Sequence, residues 1–242
     1  MELSKRLQAI AGLVTPGRII ADIGTDHAYI PIYLIQTGAI PFAYAMDINA
    51  GPLQRAKEHV MQEHLQEKIR LRLSDGLVQL ECGEADCLVI AGMGGALTVR
   101  ILSEGKEKLQ GIRELILEPQ SEVFRVREWI SRNGFVITDE EMVEEEGKFY
   151  PVIKAEKRIG GSVSDSVPGT VSAECVNLYG PVLLTKNHPV LKRYLEKEEK
   201  TCSRILGQIL KNGAGERNTE RIGELEKRME RIREAQRCFR TE

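Results

Sequence analysis

Four groups of glycine and polar residues stand directly after apolar segments of the sequence. Residues 22–26 read Asp-Ile-Gly-Thr-Asp, and Asp47 closes the next apolar run, 23 positions after Gly24. Residues 74–76 (Ser-Asp-Gly) and 91–95 (Ala-Gly-Met-Gly-Gly) follow two further apolar segments. Glycine at such a turn lets backbone N–H groups approach a ligand, and an acidic residue about 20 positions later can hold ribose hydroxyls. The spacing therefore indicates a site for a nucleoside-containing cofactor.

The residues after Gly24 indicate which cofactor this is. In the GxGxxG pattern of dinucleotide-binding folds, the positions of Asp26 and Tyr29 would both be glycine. The Asp26 carboxylate would repel a pyrophosphate, but it is compatible with the sulfonium and ammonium groups of S-adenosylmethionine. We therefore predict an S-adenosylmethionine site formed by Asp22, Gly24, Thr25, Asp26, His27, Asp47, Ile48, Asp75, Gly76, Ala91, Gly92 and Met93.

Each of these motifs also has a simpler interpretation. Asp47 is equally suited to cap the helix that follows it, and Asp75-Gly76 is a common turn pair. The glycine-rich run 91–95 need not bind anything. What favours a cofactor site is that the motifs occur together, at the ends of successive predicted strands.

The elements that must position these residues alternate along the chain. Apolar runs predict strands at 18–23, 42–48, 69–73, 86–91 and 112–117, with helices at 29–37, 52–66 and 121–133. This alternation predicts a parallel sheet. Segments 135–145 and 149–157 flank Gly147-Lys148 and predict an antiparallel hairpin. A Rossmann-like α/β sheet with an antiparallel last strand is the arrangement of class I methyltransferases, whereas NAD-binding folds remain parallel.

Composition and charge are typical of a soluble globular protein. The 242 residues are 42% hydrophobic and 29% charged, and no apolar run approaches the roughly 18 residues of a membrane-spanning helix. The N-terminal segment predicts an amphipathic helix capped by Ser4 rather than a signal peptide. Five cysteines without a CxxC pair predict reduced thiols, and His59, His64 and His188 form no metal-ligand pattern. We expect a cytoplasmic protein with neither a membrane segment nor a metal.

The end of the chain differs in charge from the rest. Residues 182–242 contain 15 Lys and Arg against 10 Asp and Glu, a net charge of +5, whereas residues 1–181 carry a net charge of −7. Apolar positions from Leu191 to Ile209 and from Ile222 to Ile232 recur at spacings of three and four around a helix-breaking segment. They predict an α-helical coiled-coil hairpin. A Gly/Ser-rich connector at 158–169 separates it from the sheet, so the predicted domains are 1–160 and 161–242.

The hairpin has two possible roles. It can serve packing or dimerisation, in which case its charges are only a solvated face, or it can present cations to an RNA backbone. The candidate RNA-binding residues are Lys5, Arg6, Arg217, Arg221, Lys227, Arg228 and Arg231. We expect a monomer or a weak dimer.

Segments throughout the chain carry a more specific resemblance. LSKRL, DIGTDHAYIPI, MDINAGPLQRA, LSDGL, LVIAGMGG, WISRNGF, EEGKFYPVIK, YGPVLL and NHPVLKRYL together resemble the bacterial TrmK family. That family comprises tRNA (adenine-22-N1)-methyltransferases, which join a Rossmann-like domain to a C-terminal coiled coil. Two segments depart from the family pattern. Glu118-Pro119-Gln120 stands where the family usually has a Gln-Pro-Asn-like sequence, and the connector at 158–169 is longer and more polar than expected.

The resemblance implies transfer of a methyl group to a ring nitrogen of adenine in tRNA. Adenine N1 carries its own lone pair, so no proton has to be removed before the transfer. Positive charge moves onto the base, and a nearby carboxylate favours that change; the candidates are Asp22 and Asp26. His27 can stack on the base or donor or hydrogen-bond to it, or it can be held within its own turn.

Two other functions remain open from the sequence. One is a methyltransferase of the same fold that acts on a small molecule or a protein, with the hairpin as a dimer interface. The other is a non-catalytic RNA-binding protein that retains the fold.

Overall fold

The computed structural model describes residues 1–158, 171–211 and 216–240, without the side chains of residues 216, 217 and 240. The chain divides into two compact units, Met1–Val163 and Ser164–Glu242. The connector predicted at 158–169 lies, apart from Arg158, outside the described residues.

The first unit is built on a seven-stranded sheet. Its strands are β1 (Ile19–Ile23), β2 (Phe42–Asp47), β3 (Ile69–Leu73), β4 (Cys87–Met93), β5 (Glu114–Pro119), β6 (Phe135–Glu145) and β7 (Lys148–Lys157). They lie in the order β3-β2-β1-β4-β5-β7-β6, parallel from β3 to β5, with β7 antiparallel to both β5 and β6. The predicted fold class, including the antiparallel ending, is confirmed.

Helices cover both faces of this sheet. They are α1 (Lys5–Leu13), α2 (Tyr29–Gln36), α3 (Ala50–Gln62), α4 (Gly95–Glu104) and α5 (Val123–Arg132). Ser4 caps α1 as predicted, because its side chain accepts a hydrogen bond from the Leu7 N–H at 3.4 Å. Two predictions were incomplete: α3 ends four residues before Gln66, and α4 was not predicted.

The core explains why the central strands have almost continuous apolar sequences. In β4, Cys87, Leu88, Val89 and Ile90 are fully buried. Leu88 and Ile90 pack into the apolar cluster on one face of the sheet, and Val89 packs into the cluster on the other. A strand covered on both faces needs apolar residues at successive positions rather than at alternate ones.

The topology brings the predicted motifs to one edge of the sheet. The chain runs outward from β1 through β2 to β3, and then crosses back to place β4 on the other side of β1. At such a switch point the loops leaving the carboxyl ends of neighbouring strands diverge and leave a crevice. The turns after β1 and β4 therefore face each other.

The second unit is helical. It contains α6 (Ala173–Tyr179), α7 (Pro181–Thr185), α8 (Pro189–Lys211) and α9 (Glu216–Arg237). Leu191, Leu195 and Cys202 of α8 are buried, as are Leu225, Met229 and Ile232 of α9. These are positions of the predicted seams, so α8 and α9 form the expected hairpin. In the described parts of the chain, none of the helices combines the length and apolar character needed to cross a bilayer.

Candidate functional site

The turn after β1 is fixed by its neighbours. The N–H groups of Gly24 and Thr25 both donate to the Met46 carbonyl oxygen, at 2.8 and 2.9 Å. Gly24 has a φ of +76°, and a Cβ at this position would lie 2.1 Å from the terminal methyl of Met93. The left-handed backbone therefore favours glycine here, and any side chain would also have to displace the flexible end of Met93.

Asp22 is a buried carboxylate at the end of β1. It is only 6% exposed, and no described residue forms an ion pair with it. Burial raises the pKa of Asp22 to about 6, with Thr25 opposing the shift and the charge of Asp47 adding to it. The Thr25 hydroxyl oxygen beside it is also buried. Both groups are suited to a polar or cationic ligand.

Asp26 and His27 continue this turn on the protein surface. Asp26 is exposed and pairs with Arg55 of α3 at 3.0 Å. His27 and Ala28 both have left-handed backbones, with φ of 61° and 55°. The His27 ring stacks on Tyr29 at a centroid distance of 5.0 Å and on His59 at 4.9 Å.

Asp47 and Ile48 follow β2. One carboxylate oxygen of Asp47 accepts the Asn49 N–H at 2.7 Å, so Asp47 orders the turn into α3. This is close to the capping role considered above, although the bond comes from the residue before α3 rather than from within it. Ile48 is 57% exposed, unusual for so large an apolar side chain.

The turn after β3 is closed by Ser74. Its hydroxyl donates to the Gly76 carbonyl oxygen at 2.9 Å and accepts the Gln79 N–H at 3.1 Å. Asp75 is left exposed, 4.0 Å from Arg100. Asp75 and Gly76 line a small cavity of about 90 Å³.

The turn after β4 is held by a buried ion pair. The register of β4 against β5 shifts between Ala91 and Met93, and Gly92 there has a φ of +77°. The Gly92 N–H donates to Oε2 of Glu118 at 2.8 Å, and the same oxygen accepts from Nη1 of Arg6 at 3.0 Å. Oε1 of Glu118 is buried without a partner among the described residues. Burial raises the pKa of Glu118, and the charge of Arg6 opposes that shift.

A cavity of about 360 Å³ lies between these turns. Its volume is in the range of small-molecule sites. Six of the predicted cofactor residues line it: Asp22, Gly24, Thr25, Asp26, Ala91 and Gly92. The others, His27, Asp47, Ile48, Asp75, Gly76 and Met93, are not part of its wall.

The sequence did not predict the rest of the cavity wall, which consists of Arg6, Leu7, Tyr29, Ile30 and Gln120. Arg6 was expected only as an RNA contact, and the half-buried Tyr29, which was not among the predicted site residues, faces the cavity. The departure from the family pattern at Glu118-Pro119-Gln120 was the one available signal. This departure drew attention to residues 118–120, but it did not predict that Glu118 contacts Arg6 of α1.

Several predicted RNA-binding residues of the helical unit form ion pairs there. Arg221 pairs with Glu224 at 3.0 Å, Arg228 with Glu198, and Arg231 with Glu174 at 2.6 Å. Lys227 is exposed and forms no ion pair with a described residue, while the side chain of Arg217 lies outside the described residues. In the first unit Lys5 is exposed and Arg6 pairs with Glu118.

The sequence as a whole is similar to known methyltransferases. A family model described as a methyltransferase domain matches residues 3–153. The tRNA (adenine(22)-N(1))-methyltransferase of Bacillus subtilis (strain 168) is 39% identical over 235 residues, 97% of each chain. The chain belongs to the TrmK family of methyltransferases.

Solved structures of TrmK proteins agree with the fold described above. The crystal structure of B. subtilis TrmK superposes with a TM-score of 0.85 at 38% identity, covering 97% of this chain and 98% of that one. M. capricolum TrmK, in complex with S-adenosyl-homocysteine, gives a TM-score of 0.81 at 29% identity and covers 99% and 100%. The match thus includes the helical unit as well as the sheet.

Metal-ligating side chains are not grouped in the part of the chain that the structure describes. Within residues 1–158, 171–211 and 216–240, no three His, Cys, Asp or Glu side chains are placed to share a metal ion. The five cysteines are free thiols.

Proposed function

We propose that this protein transfers a methyl group from S-adenosylmethionine to N1 of adenine 22 in tRNA. The observation that carries the proposal is the match to the B. subtilis enzyme over 97% of both chains. That match includes the cavity turns and the helical unit together, so it favours a shared substrate as well as a shared cofactor.

The turn after β1 is suited to the methionine part of the donor. Gly24 leaves no side chain between the backbone and the cavity, and the buried Thr25 hydroxyl beside it can hydrogen-bond to a ligand. The Asp22 carboxylate is buried next to them, with no cation beside it among the described residues. A sulfonium or ammonium group would supply the missing positive charge, and it would lower the pKa of Asp22 again.

Residues after β2 and β3 are suited to the nucleoside part. Among the described residues the Asn49 N–H engages one oxygen of Asp47, so the other can accept from ribose hydroxyls. The exposed Ile48 side chain beside it offers an apolar surface for a purine. Asp75 and Gly76 provide a carboxylate and a backbone turn for the polar edge of the adenine.

S-adenosylmethionine supplies an electrophilic methyl carbon on a sulfonium, and the electron pair of the broken S–C bond remains on sulfur as the bond from N1 forms. Adenine N1 uses its own lone pair, so the protein needs to bind, orient and exclude water rather than remove a proton. Asp22 is a stronger candidate than Asp26 for stabilising the cationic methylated base. Asp26 is exposed and already paired with Arg55, whereas Asp22 has no such partner among the described residues.

The substrate edge must be accessible for this transfer. N1 lies on the Watson–Crick edge, so the target adenine has to leave its stack or pair before it enters the cavity. The ring cluster of His27, Tyr29 and His59 lies beside the turn after β1, and Tyr29 faces the cavity. These rings are a candidate surface on which the displaced base can stack.

Recognition of tRNA is proposed to use Lys5, Arg6, Arg217, Arg221, Lys227, Arg228 and Arg231. The paired arginines retain exposed donors, but their Glu partners offset part of their charge. We therefore expect the exposed Lys227 to contribute most among the helical residues. Reversing its charge in Lys227→Glu should weaken tRNA binding and flatten its salt dependence, while S-adenosylmethionine affinity stays unchanged.

The remaining proposals concern location and assembly. We propose that the protein acts in the cytoplasm as a monomer or a weak dimer. Analytical ultracentrifugation over a range of concentrations tests the assembly, since a stable dimer would show no dissociation on dilution.

The decisive experiment uses isotope-labelled S-adenosylmethionine and an unmodified tRNA transcript. Digestion and mass spectrometry should place the label on N1 of adenine 22, and a transcript with guanine at that position should remain unlabelled. Labelling of another nucleotide, or of none, would contradict the proposal.

A further inference from the structure

Gln120 is the cavity residue for which neither the fold nor the donor site provides a role. It directly follows β5 and shares a wall of the cavity with Arg6 and Gly92. Its side-chain nitrogen lies 3.8 Å from the position that a Cβ of Gly92 would occupy. The amide is therefore next to the β4 turn, at the mouth of the crevice.

The backbone under Gln120 is held on both sides. The Gln120 N–H donates to the Met93 carbonyl oxygen at 2.8 Å, and the next carbonyl, that of Ser121, accepts the Gly95 N–H at 2.8 Å. Pro119 restricts the backbone just before it. The side chain thus extends from a fixed position, which limits the entropy lost when it binds a ligand.

The side-chain amide of Gln120 is accessible to a ligand. Gln120 is exposed, and its side chain makes no hydrogen bond to the described residues, whereas Arg6 and Glu118 beside it are engaged with each other. An amide offers one acceptor oxygen and two N–H donors in one plane. The charged groups of the wall lack this combination, since Arg6 only donates and ionised Asp22 and Asp26 only accept.

Adenine has an edge that matches such an amide. Its N7 accepts a hydrogen bond and its N6 amino group donates one, and Gln binds this pair through both of its amide atoms. This Hoogsteen edge is separate from N1, so it can be held while N1 remains exposed to the donor. Guanine presents two acceptors, O6 and N7, at the same place and would leave the Gln120 oxygen without a donor.

We propose that the Gln120 amide binds N6 and N7 of the target adenine and so selects adenine while leaving N1 directed at the methyl donor. The inference rests on the proposed function, because it assumes that an adenine is the substrate. It makes Gln120 a specificity-determining residue. As the ring becomes cationic, its N6–H groups become better donors, so the bond to the Gln120 oxygen strengthens in the transition state.

The test changes one atom of the substrate. A tRNA with 7-deazaadenine at position 22 keeps N1 and N6 but lacks the N7 acceptor. We expect kcat/KM of the wild-type protein to fall about tenfold on this substrate, the effect of one lost hydrogen bond. Gln120→Leu should lower kcat/KM on the natural tRNA by roughly 5- to 150-fold and should methylate both tRNAs at nearly equal rates.

Equal rates of Gln120→Leu on the two tRNAs would show that recognition of the base is lost. A merely structural defect would lower the methylation rate on both tRNAs and leave the ratio of the two rates as it is in the wild-type protein. Gln66→Leu is the matched control, because Gln66 is exposed between α3 and β3, away from the cavity, and should retain the wild-type ratio. Donor affinity, measured by calorimetry, should be the same in all three proteins. If the wild-type protein methylates adenine 22 but treats both tRNAs alike, the inference about Gln120 is wrong. If it does not methylate adenine 22 at all, the proposed function is wrong.

Discussion

Buried carboxylates occupy two kinds of surroundings in residues 1–158. Glu140 pairs with Arg127 at 2.8 Å, with both side chains almost fully buried, and Glu114 forms an ion pair with Lys154 at 3.2 Å. Asp22, at the cavity, has no cation beside it among the described residues, and its pKa is raised to about 6. These two buried carboxylates away from the cavity are each paired with a cation, whereas Asp22 has none among the described residues.

Glu118 is an intermediate case. One of its oxygens accepts from both Arg6 and the Gly92 N–H, and the other is buried without a partner among the described residues. A buried charge that the fold leaves unmatched costs stability, and this cost can be recovered when a ligand of opposite charge binds. The difference between the two regions therefore separates carboxylates that hold the structure from those available to a substrate or cofactor. Four predictions test it.

The largest effect is expected where a paired charge loses its partner. Arg127→Leu leaves Glu140 buried without this cation and should lower the free energy of unfolding by about 3–5 kcal/mol. Urea unfolding followed by Trp129 fluorescence measures the loss. The double variant Arg127→Leu/Glu140→Leu should recover most of it, because no buried charge remains. A single variant as stable as the double would contradict the structural role of the pair.

At the cavity, replacing a buried carboxylate should raise the free energy of unfolding rather than lower it. The pKa of Asp22 is higher in the folded protein than its ordinary value of 3.8, so stability falls as pH rises from about 4 to 6 and the whole cost is present above pH 6. Asp22→Asn should therefore raise the free energy of unfolding at pH 8 by about 1–3 kcal/mol relative to wild type, and this gain should disappear near pH 4. Its affinity for S-adenosylmethionine should fall by at least about tenfold.

Asp86→Asn is the control for this reversal. Asp86 accepts from Arg18 at 3.0 Å and from the Ile19 N–H at 2.9 Å, at the opposite end of the sheet. Its loss should lower stability and leave donor affinity unchanged. If both variants lose stability at pH 8, the distinction between the two regions fails.

For Glu118, the intermediate case, we expect the stability effects of substituting Arg6 and Glu118 to depend on each other. Arg6→Met should cost about 2 kcal/mol of stability in the wild-type protein, because among the described residues Glu118 then keeps only the Gly92 N–H. The same substitution should cost less than about 1 kcal/mol in a Glu118→Gln background, where no charge is left behind. Thermal unfolding of the four proteins gives the coupling energy. Equal costs in both backgrounds would mean that the ion pair does not hold Arg6.

The smallest effect is expected for a carboxylate that is paired but partly solvated. Two hydrogen bonds from Arg72, at 2.6 and 2.9 Å, lower the pKa of Glu84 to about 2. Because the folded pKa is below the ordinary one, the ionised form stabilises the protein above about pH 4.5, and the gain is lost as pH falls toward 2. Glu84→Gln should lower the free energy of unfolding by about 1 kcal/mol at pH 7 and by much less near pH 3. A difference independent of pH would rule out the ion pair as its origin.

Much of the fold could be predicted because its signals are local. Strands buried on both faces have nearly unbroken apolar sequences, as at Cys87–Ile90, and glycines mark their ends. The hairpin of β6 and β7 follows from the turn at Gly147, and the α8–α9 hairpin from the spacing of its apolar residues. Helix α4 was missed because it begins at Gly95, within a glycine-rich run typical of a turn. Its start is set by a distant segment, since a Cβ on Gly95 would lie 2.6 Å from the Ser121 carbonyl oxygen.

About half of the cavity wall could be predicted, because local sequence signals identify the turns after strands but not contacts between distant segments. Motifs that follow strands are recognisable from spacing, and those after β1 and β4 meet at the cavity. Arg6 and Glu118 are 112 positions apart, and no local pattern connects them. The same holds for Arg228 and Arg231, whose basic run suggested RNA contacts but whose Glu partners lie on other helices.

The alternation of strands and helices, the antiparallel ending, the donor-type glycine turn and the helical hairpin were determined by the sequence alone, because each depends on neighbouring residues and on periodicity. The spatial order of the strands was decided only by the tertiary structure. Only the tertiary structure decided which charges are neutralised. It pairs Arg6 with Glu118, leaves Asp22 without a cation among the described residues, and places Gln120 on the cavity wall. The physical reason is that burial and ion pairing depend on segments far apart in sequence, and that the cost of an unmatched charge arises only when folding removes it from water.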